Sequence, residues 1–577
     1  MKTHSNNETS EFSTNCIGGD MSGLRRGWKV FSERGRFAAL LALLLAVWGF
    51  CLTGTARAET FRLTILHTND IHAHLAPFDK YGAQCSPEKD AAGECAGGAA
   101  RLAAAVAAVR GERPNVVLFD AGDQFQGTLF YTKYKGLACA ALMNLLGYDA
   151  MTLGNHEFDD GPASLAEFLK QIRFPAVSSN LRMASASPLV GLIRPWVMLD
   201  VNGRKVGVVG VSHPQTPMMS SPGLSQFFFE PNASVTMGVY ELRRAGANII
   251  IVLSHLGLEG DKKLATRMGG MDVIVGGHSH VLLANGDPEA VGPCPLVQEG
   301  PDGEPVLLVT AGYWGRYLGV LEVEFDEQGR ILSSAGNPLP MDAKAPKDPA
   351  AAAEVERLEA SLRTLQTRVL GQTLKPMSSE DCRARECLPG DLRADAILAE
   401  SARHGVVAAL VNGGSVRSGF AAGPITFGDV LSAYPFTDNV VELTLSGADL
   451  RAVLEHGLSA LGGYEGTGRF LQVAGIRYRF DSRRPAGKRL LEASVVGPDG
   501  TTLPLADAAE YRVALSRFLY RGGDSYSIFA ERGKDVFLDG KTMTTVMEEY
   551  VSAHSPLALE PDGRVLDLAH GVPSQAP

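Results

Sequence analysis

"DAMTLGNHEFDDG", residues 149–161, decides how this chain folds. A short apolar run stops at a glycine, and Asn155, His156 and Asp159 follow within five residues. One explanation is local: Asn155 caps a helix, and the acids sit near the positive end of its dipole. The other is chemical: an amide, an imidazole and a carboxylate are gathered where a strand ends. The pattern recurs in "RLTILHTNDIHAH" (62–74), "NVVLFDAGDQFQG" (115–127), "NIIIVLSHLG" (248–257) and "MDVIVGGHSH" (271–280). Such short runs rich in Val, Ile and Leu read as buried strands. In layered α/β folds ligands lie beyond strand ends, and each of these runs delivers Asp, Asn or His where it stops.

Collected, the strand-end residues are Asp70, His72, Asp123, Asn155, His255, His278 and His280. They offer oxygen and nitrogen donors and no sulfur, which suits zinc, manganese or iron(II). Asp123 can bridge two ions, one per oxygen. Singly the motifs differ in weight: a lone D-x-H arises by chance, His255 alone reads as a satisfied buried histidine, and G-G-H-S-H is stronger, because paired glycines and alternating histidines at a strand end rarely serve packing. The ordered set D-x-H, G-D, G-N-H-E, H and G-H-S-H is specific for a binuclear metal site.

The remaining sequence bounds the architecture. The chain has 577 residues, 45% hydrophobic and 20% charged, which implies two large domains. A formal charge of -10 without a dense basic run argues against nucleic acid as a partner. Basic residues from Arg25 to Arg36, the apolar run 37–52 and Ala56-x-Ala58 read as a bacterial export signal, residues 1–58, rather than an uncleaved anchor. The expected location is periplasmic or secreted, with no stable membrane anchor after cleavage. Six cysteines follow that segment. Cys85 with Cys95, and Cys382 with Cys387, are close enough to close small loops, while Cys139 and Cys294 either pair or stay as buried thiols. Residues 59–340 form the first expected domain and 341–370 a linker with an amphipathic helix. Residues 371–562 form the second domain, in which "VVELTLSGADLRAVLEHGL" (440–458) reads as strand, turn and helix, and 563–577 a flexible tail.

Residues 60–340 resemble the calcineurin-like metallophosphatases, and the chain from about 61 to 555 resembles the 5'-nucleotidase family, in particular its ecto-5'-nucleotidase branch. The resemblance implies an α/β fold: a four-layer α/β/β/α metallophosphatase domain, a linker helix and a C-terminal α/β substrate-binding domain. It implies two divalent metal ions, Zn2+ or Mn2+. One would be held by Asp70, His72, Asp123 and His280, the other by Asp123, Asn155, His255 and His278. The family usually has Asn or Gln where this chain has His280. His156 matches the family's catalytic histidine and Asp159 the carboxylate that keeps it protonated.

Two further motifs carry the substrate side. "CRARECLPGDL" (382–392) and "NGGSVRSGF" (412–420) put arginines on tight loops, and arginine forks match phosphate. The resemblance assigns Arg383, Asn412 and Arg417 to the substrate phosphate. "YPFTDNVV" (434–441) and "SRFLYRGGDSY" (516–526) supply Phe436, Phe518 and Asp524. Two phenylalanines can sandwich a base, and a carboxylate can accept from both ribose hydroxyls; the family's nucleoside pocket matches these three. The implied activity is hydrolysis of nucleoside 5'-monophosphates such as AMP, with a nucleotide as the small-molecule partner. Alternatives are broader hydrolysis of UDP-sugars or 2',3'-cyclic nucleotides, and a catalytically silent nucleotide receptor. Oligomeric state is not encoded in any of these motifs.

Overall fold

The structure is a computed structural model that describes residues 60–569 apart from 81, 83, 364–366, 437, 464–466, 498–499 and 539. The expected export segment lies outside the described residues. Among the described residues no helix is long and apolar enough to cross a membrane.

Two sheets face each other in the N-terminal half. In the eight-stranded one, Phe61–Thr68 lies between Tyr317–Phe325 and Val116–Asp120, and Ala150–Thr152 follows. The six-stranded one runs through Arg204–Val211, Ile249–Ser254 and Val273–Gly276 in parallel register. Strand alternation sends Leu63 and Ile65 inward against Val208 and Ile251 of the other sheet. Leu66 and Leu118 point the opposite way, into a core with helices Ala99–Glu112, Leu137–Leu146 and Gly161–Gln171. Helices Pro231–Arg244 and Leu258–Arg267 cover the second sheet through Val235, Leu242 and Leu264. The result is the expected α/β/β/α stack.

The C-terminal half has a five-stranded sheet ordered Leu471–Ala474, Ala408–Asn412, Glu510–Ser516, Val440–Ser446 and Lys534–Phe537. A four-stranded sheet packs beside it. Strand Val440–Ser446 passes into helix Gly447–Gly457 without an intervening turn, because Ser446 itself caps the helix by accepting from Asp449 N.

One local expectation changes and two become definite. Within the expected linker a helix spans Pro349–Ala360, with Asp348 as its N-cap, and buries Ala351, Val355 and Leu358 in the first core. The expected flexible tail from 563 does not start there. Val565–Asp567 is a strand parallel to Ile476–Phe480, and buried Val565 anchors it. Three residues are too short a run to show as a strand in the sequence. Finally, Cys139 and Cys294 are separate buried thiols, while Cys85–Cys95 and Cys382–Cys387 are bonded.

Candidate active site

All seven candidate metal ligands sit just past strands of the two facing sheets, at one end of the stack. Asp70 and His72 follow Phe61–Thr68, Asp123 follows Val116–Asp120, and Asn155 follows Ala150–Thr152. His255 follows Ile249–Ser254, and His278 and His280 follow Val273–Gly276. Backbone hydrogen bonds weld the turns together: Asp70 N donates to Gly122 O and His72 N to Asp123 O. Asp70, His72, Asp123, His278 and His280 all have positive φ, from 49° to 75°. Non-glycine residues rarely hold that conformation. Its clustering here is backbone strain concentrated at a functional site.

The side chains converge. Ligand atoms of Asp70, His72 and His280 form one group within 4.8 Å of one another, and those of Asp123, His255 and His278 another. His72 Nε2 and His280 Nε2 lie 3.0 Å apart, and His255 Nε2 lies 3.1 Å from Asp123 Oδ2. Asn155 Oδ1 is buried without a hydrogen-bond partner. Asn155 caps no helix: it has helical φ and ψ, makes no capping bond, and precedes a short 3-10 turn, His156–Phe158. A buried carboxamide oxygen left unpaired among acids and imidazoles fits a cation site. Burial pushes His72 and His278 well below the ordinary histidine pKa, toward the neutral form that ligates, whereas at His255 burial is outweighed by the Asp123 carboxylate and the pKa rises to about 10. His255 donates Nδ1–H to Ala121 O at 2.7 Å, and His72 Nδ1 meets Phe125 O at 3.0 Å, which turns both Nε2 atoms toward the carboxylates. Gly154 is required by the close approach: a Cβ there would fall 2.2 Å from Asp123 Oδ1.

Beside these groups, His156 Nδ1 is 2.7 Å from Asp159 Oδ2. Burial opposes charge on His156, but the Asp159 and Asp123 carboxylates outweigh it and raise its pKa. Asp159 is itself held by Ser220 Oγ at 2.7 Å and Gln126 Nε2 at 3.0 Å. The C-terminal half reaches this spot directly: Arg417 Nη2 is 2.6 Å from His156 Nε2. The Arg417 guanidinium also lies over the Phe436 ring, 5.2 Å from its centroid, and that ring is 5.9 Å from His156. Burial, followed by repulsion from Arg383, brings Arg417 down to about 10, still cationic at neutral pH.

Asp524 lies in the 3-10 turn Gly523–Ser525 with φ 53° and accepts from Asn412 Nδ2 at 2.7 Å. Burial raises its pKa, opposed by Asn412 and by Arg469, Arg383 and Arg417. Phe518 packs over Gly523, where a Cβ would come within 2.5 Å of its ring. The structure therefore brings Arg417 and Phe436 to the His156–Asp159 pair and groups Asn412, Phe518 and Asp524 around one turn. Phe436 and Phe518 are not in ring contact with each other among the described residues.

Sequence reasoning missed Glu157, which has no exposure. Its Oε2 accepts from Asp123 N at 2.9 Å and Gly154 N at 2.7 Å. Its Oε1 accepts from Gln124 N at 2.7 Å and Phe125 N at 3.2 Å. One carboxylate thus ties the Asp123 turn to the Asn155 turn; the acid in G-N-H-E was the available signal. Both oxygens face only donors, so an amide at 157 puts its NH2 against two N–H groups whichever way it flips. Glu157→Gln should therefore destabilise the fold by at least about 3 kcal/mol, since hydrogen bonds to a charged group are worth about 1.5–3 kcal/mol each. Urea unfolding checks this, and a change below about 0.5 kcal/mol, the scale of an ordinary surface substitution, would refute the tie.

A strand-end cluster of carboxylate, imidazole and carboxamide on paired α/β sheets defines a metallophosphoesterase. Residues 63–282 match the calcineurin-like phosphoesterase family, and residues 366–531 match the C-terminal domain of 5'-nucleotidases. The chain is similar to the 5'-nucleotidase of Homo sapiens, 36% identical over 92% of this chain and 95% of that one. It is 36% identical to the snake venom 5'-nucleotidase of Naja atra over 81% of this chain and 91% of that one. The crystal structure of the 5'-nucleotidase precursor from Thermus thermophilus superposes with a TM-score of 0.82 at 39% identity, covering 88% of this chain and all of that one. The chain belongs to the 5'-nucleotidase family and is a hydrolase of that family.

Proposed function

We propose that this protein is an exported enzyme that hydrolyses nucleoside 5'-monophosphates such as AMP to nucleoside and phosphate, with two divalent metal ions, Zn2+ or Mn2+. Asp70, His72, Asp123 and His280 would hold one ion, and Asp123, Asn155, His255 and His278 the other. When bound, the ions supply Lewis-acid charge to the phosphoryl oxygens and to the attacking water. Residues 59–340 carry the chemistry, 341–370 link, and 371–562 select the nucleotide.

One observation carries this assignment: the meeting of His156 and Arg417. His156 Nδ1 is held on Asp159, and Arg417 Nη2 of the other half of the chain reaches His156 Nε2 at 2.6 Å, where a neutral ring accepts its hydrogen bond. Once the ring is an imidazolium, His156 and Arg417 are both donors at one spot, and a phosphoryl oxygen that moves in to face them can accept from each. His156 then donates from Nε2 as charge develops on that oxygen, with Asp159 orienting the ring. Arg383, Asn412 and Arg417 bind and orient the phosphate. Phe436 and Phe518 stack on the base, and Asp524 accepts from the ribose hydroxyls. Export is supported by the residue 1–58 pattern and by two disulfides, which persist in oxidising compartments; a mature N-terminus at Glu59 on sequencing would bear it out.

Purified protein stripped with chelator should release phosphate from AMP only after Zn2+ or Mn2+ is returned. A panel of AMP, UMP, UDP-glucose and a 2',3'-cyclic nucleotide should rank the monophosphates first; preference for the last two would replace this assignment with the broader one. Phe518→Ala should lower kcat/KM for AMP by roughly 1–3 kcal/mol, the scale of one base–aromatic stack, and leave p-nitrophenyl phosphate hydrolysis nearly unchanged. Equal loss on both substrates with an intact circular dichroism spectrum would mean that Phe518 does not read the nucleoside.

A further inference from the structure

Arg383 stands on a short loop, and its guanidinium can meet a phosphate only if that loop keeps its register with the strand that delivers Asn412. The disulfide Cys382–Cys387 closes the loop but does not by itself locate it. Gln472 does. It belongs to strand Leu471–Ala474, which is antiparallel to Ala408–Asn412 and pairs Val411 with Gln472 and Asn412 with Leu471. A glutamine with no exposure in the middle of a core strand is out of pattern, between Leu471 and Val473, both buried. Its carboxamide faces the backbone of the loop. Nε2 donates to Cys382 O at 2.9 Å and to Arg385 O at 2.6 Å, and Oε1 accepts from Cys387 N at 3.1 Å.

Two glycines allow the parts to meet. A Cβ at Gly390 would come within 2.4 Å of Gln472 Cγ, and one at Gly413 within 2.0 Å of Cys382 O and 3.2 Å of the Arg383 Cα. Gly413 N also donates to Phe470 O at 2.7 Å, fixing the turn after Asn412 to the residue that leads into the strand of Gln472. A buried amide is costly unless its hydrogen bonds are made. Here three are made, all to one loop, on both sides of Arg383. We infer that Gln472 is a positioning residue for phosphate recognition: it sets the register of the 382–387 loop so that Arg383 and Asn412 face the same phosphate.

This rests on the role proposed above for Arg383. The test is a double-mutant cycle on the holoenzyme with Gln472→Met, which keeps the volume and removes the amide, and Arg383→Ala, reading kcat/KM for AMP and the inhibition constant for inorganic phosphate. Gln472→Met alone should weaken both at least about fivefold with metal content unchanged. In the Arg383→Ala background it should change them less than twofold, because the group it positions is gone. Equal losses in both backgrounds would overturn the inference and leave Gln472 a general stabiliser. No loss in Arg383→Ala alone would instead overturn the phosphate role of Arg383, and the positioning role with it. If Gln472→Met does not fold, the paired variant Cys382→Ser/Cys387→Ser loosens the same loop. Its loss must likewise vanish in the Arg383→Ala background, and persistence there counts against the inference.

Discussion

Asp123→Ala should reduce phosphate release from AMP to background and should cost the protein both metal ions. Asp123 Oδ2 lies 3.1 Å from His255 Nε2 and 3.9 Å from His72 Nε2, so one carboxylate faces the ligands of both proposed ions. Its Oδ1 accepts from His156 N at 2.8 Å, which also sets the turn that carries His156. Without the bridge, each ion keeps three ligands and loses the charge that offsets its neighbour. Metal analysis by plasma mass spectrometry checks the outcome. Two equivalents retained in the variant would refute the binuclear assignment.

His156→Ala should behave differently. It should leave two metal equivalents in place and lower kcat for AMP about 10²- to 10³-fold, the loss that follows removal of one donor aimed at a developing oxyanion. Its interaction forms chiefly in the transition state, so affinity for a non-hydrolysable AMP analogue should change little. One effect works the other way: removing His156 frees Arg417, whose Nη2 now points at His156 Nε2. Analogue affinity within about threefold of wild type is therefore the expected result, well below the 10²-fold scale assigned to catalysis. A kcat within about threefold of wild type would exclude His156 from the chemistry.

The strand-end cluster was legible because the sequence marks it twice. Runs such as "NIIIVLS" and "MDVIVGG" specify buried strands, and the histidine that follows each is brought into the cluster by the structure. What supports the cluster and the His156–Asp159 pair beside it was not legible. Ser220 and Gln126 hold Asp159 from 61 and 33 residues away; Ser220 lies in no quoted run, and Gln126, though inside the run that delivers Asp123, carries no mark that sets it apart there. Glu157 sits inside the most visible motif, yet its four backbone partners appear only once the turns are folded together. Gln472 is an isolated polar residue in an apolar strand, a pattern that serves core satisfaction as readily as function. The strand Val565–Asp567 failed for a simpler reason: three residues carry too little periodicity to separate an edge strand from a tail. The cysteines divide in the same way. Short spacing marked the two bonded pairs, whereas the fate of Cys139 and Cys294 depends on where buried helices and loops place them.

In the function proposed above, one phosphate is held between the two halves of the chain, at a binuclear centre, by His156 from one side and Arg417 from the other. Anomalous diffraction from crystals grown with Mn2+ and a non-hydrolysable AMP analogue decides whether it is. Two anomalous peaks sharing Asp123 are expected, one beside Asp70, His72 and His280 and the other beside Asn155, His255 and His278. The analogue's phosphate is also expected to take hydrogen bonds from both His156 Nε2 and Arg417. A single peak, or a phosphate bound away from the His156–Arg417 pair in crystals with both ions present, would contradict that arrangement.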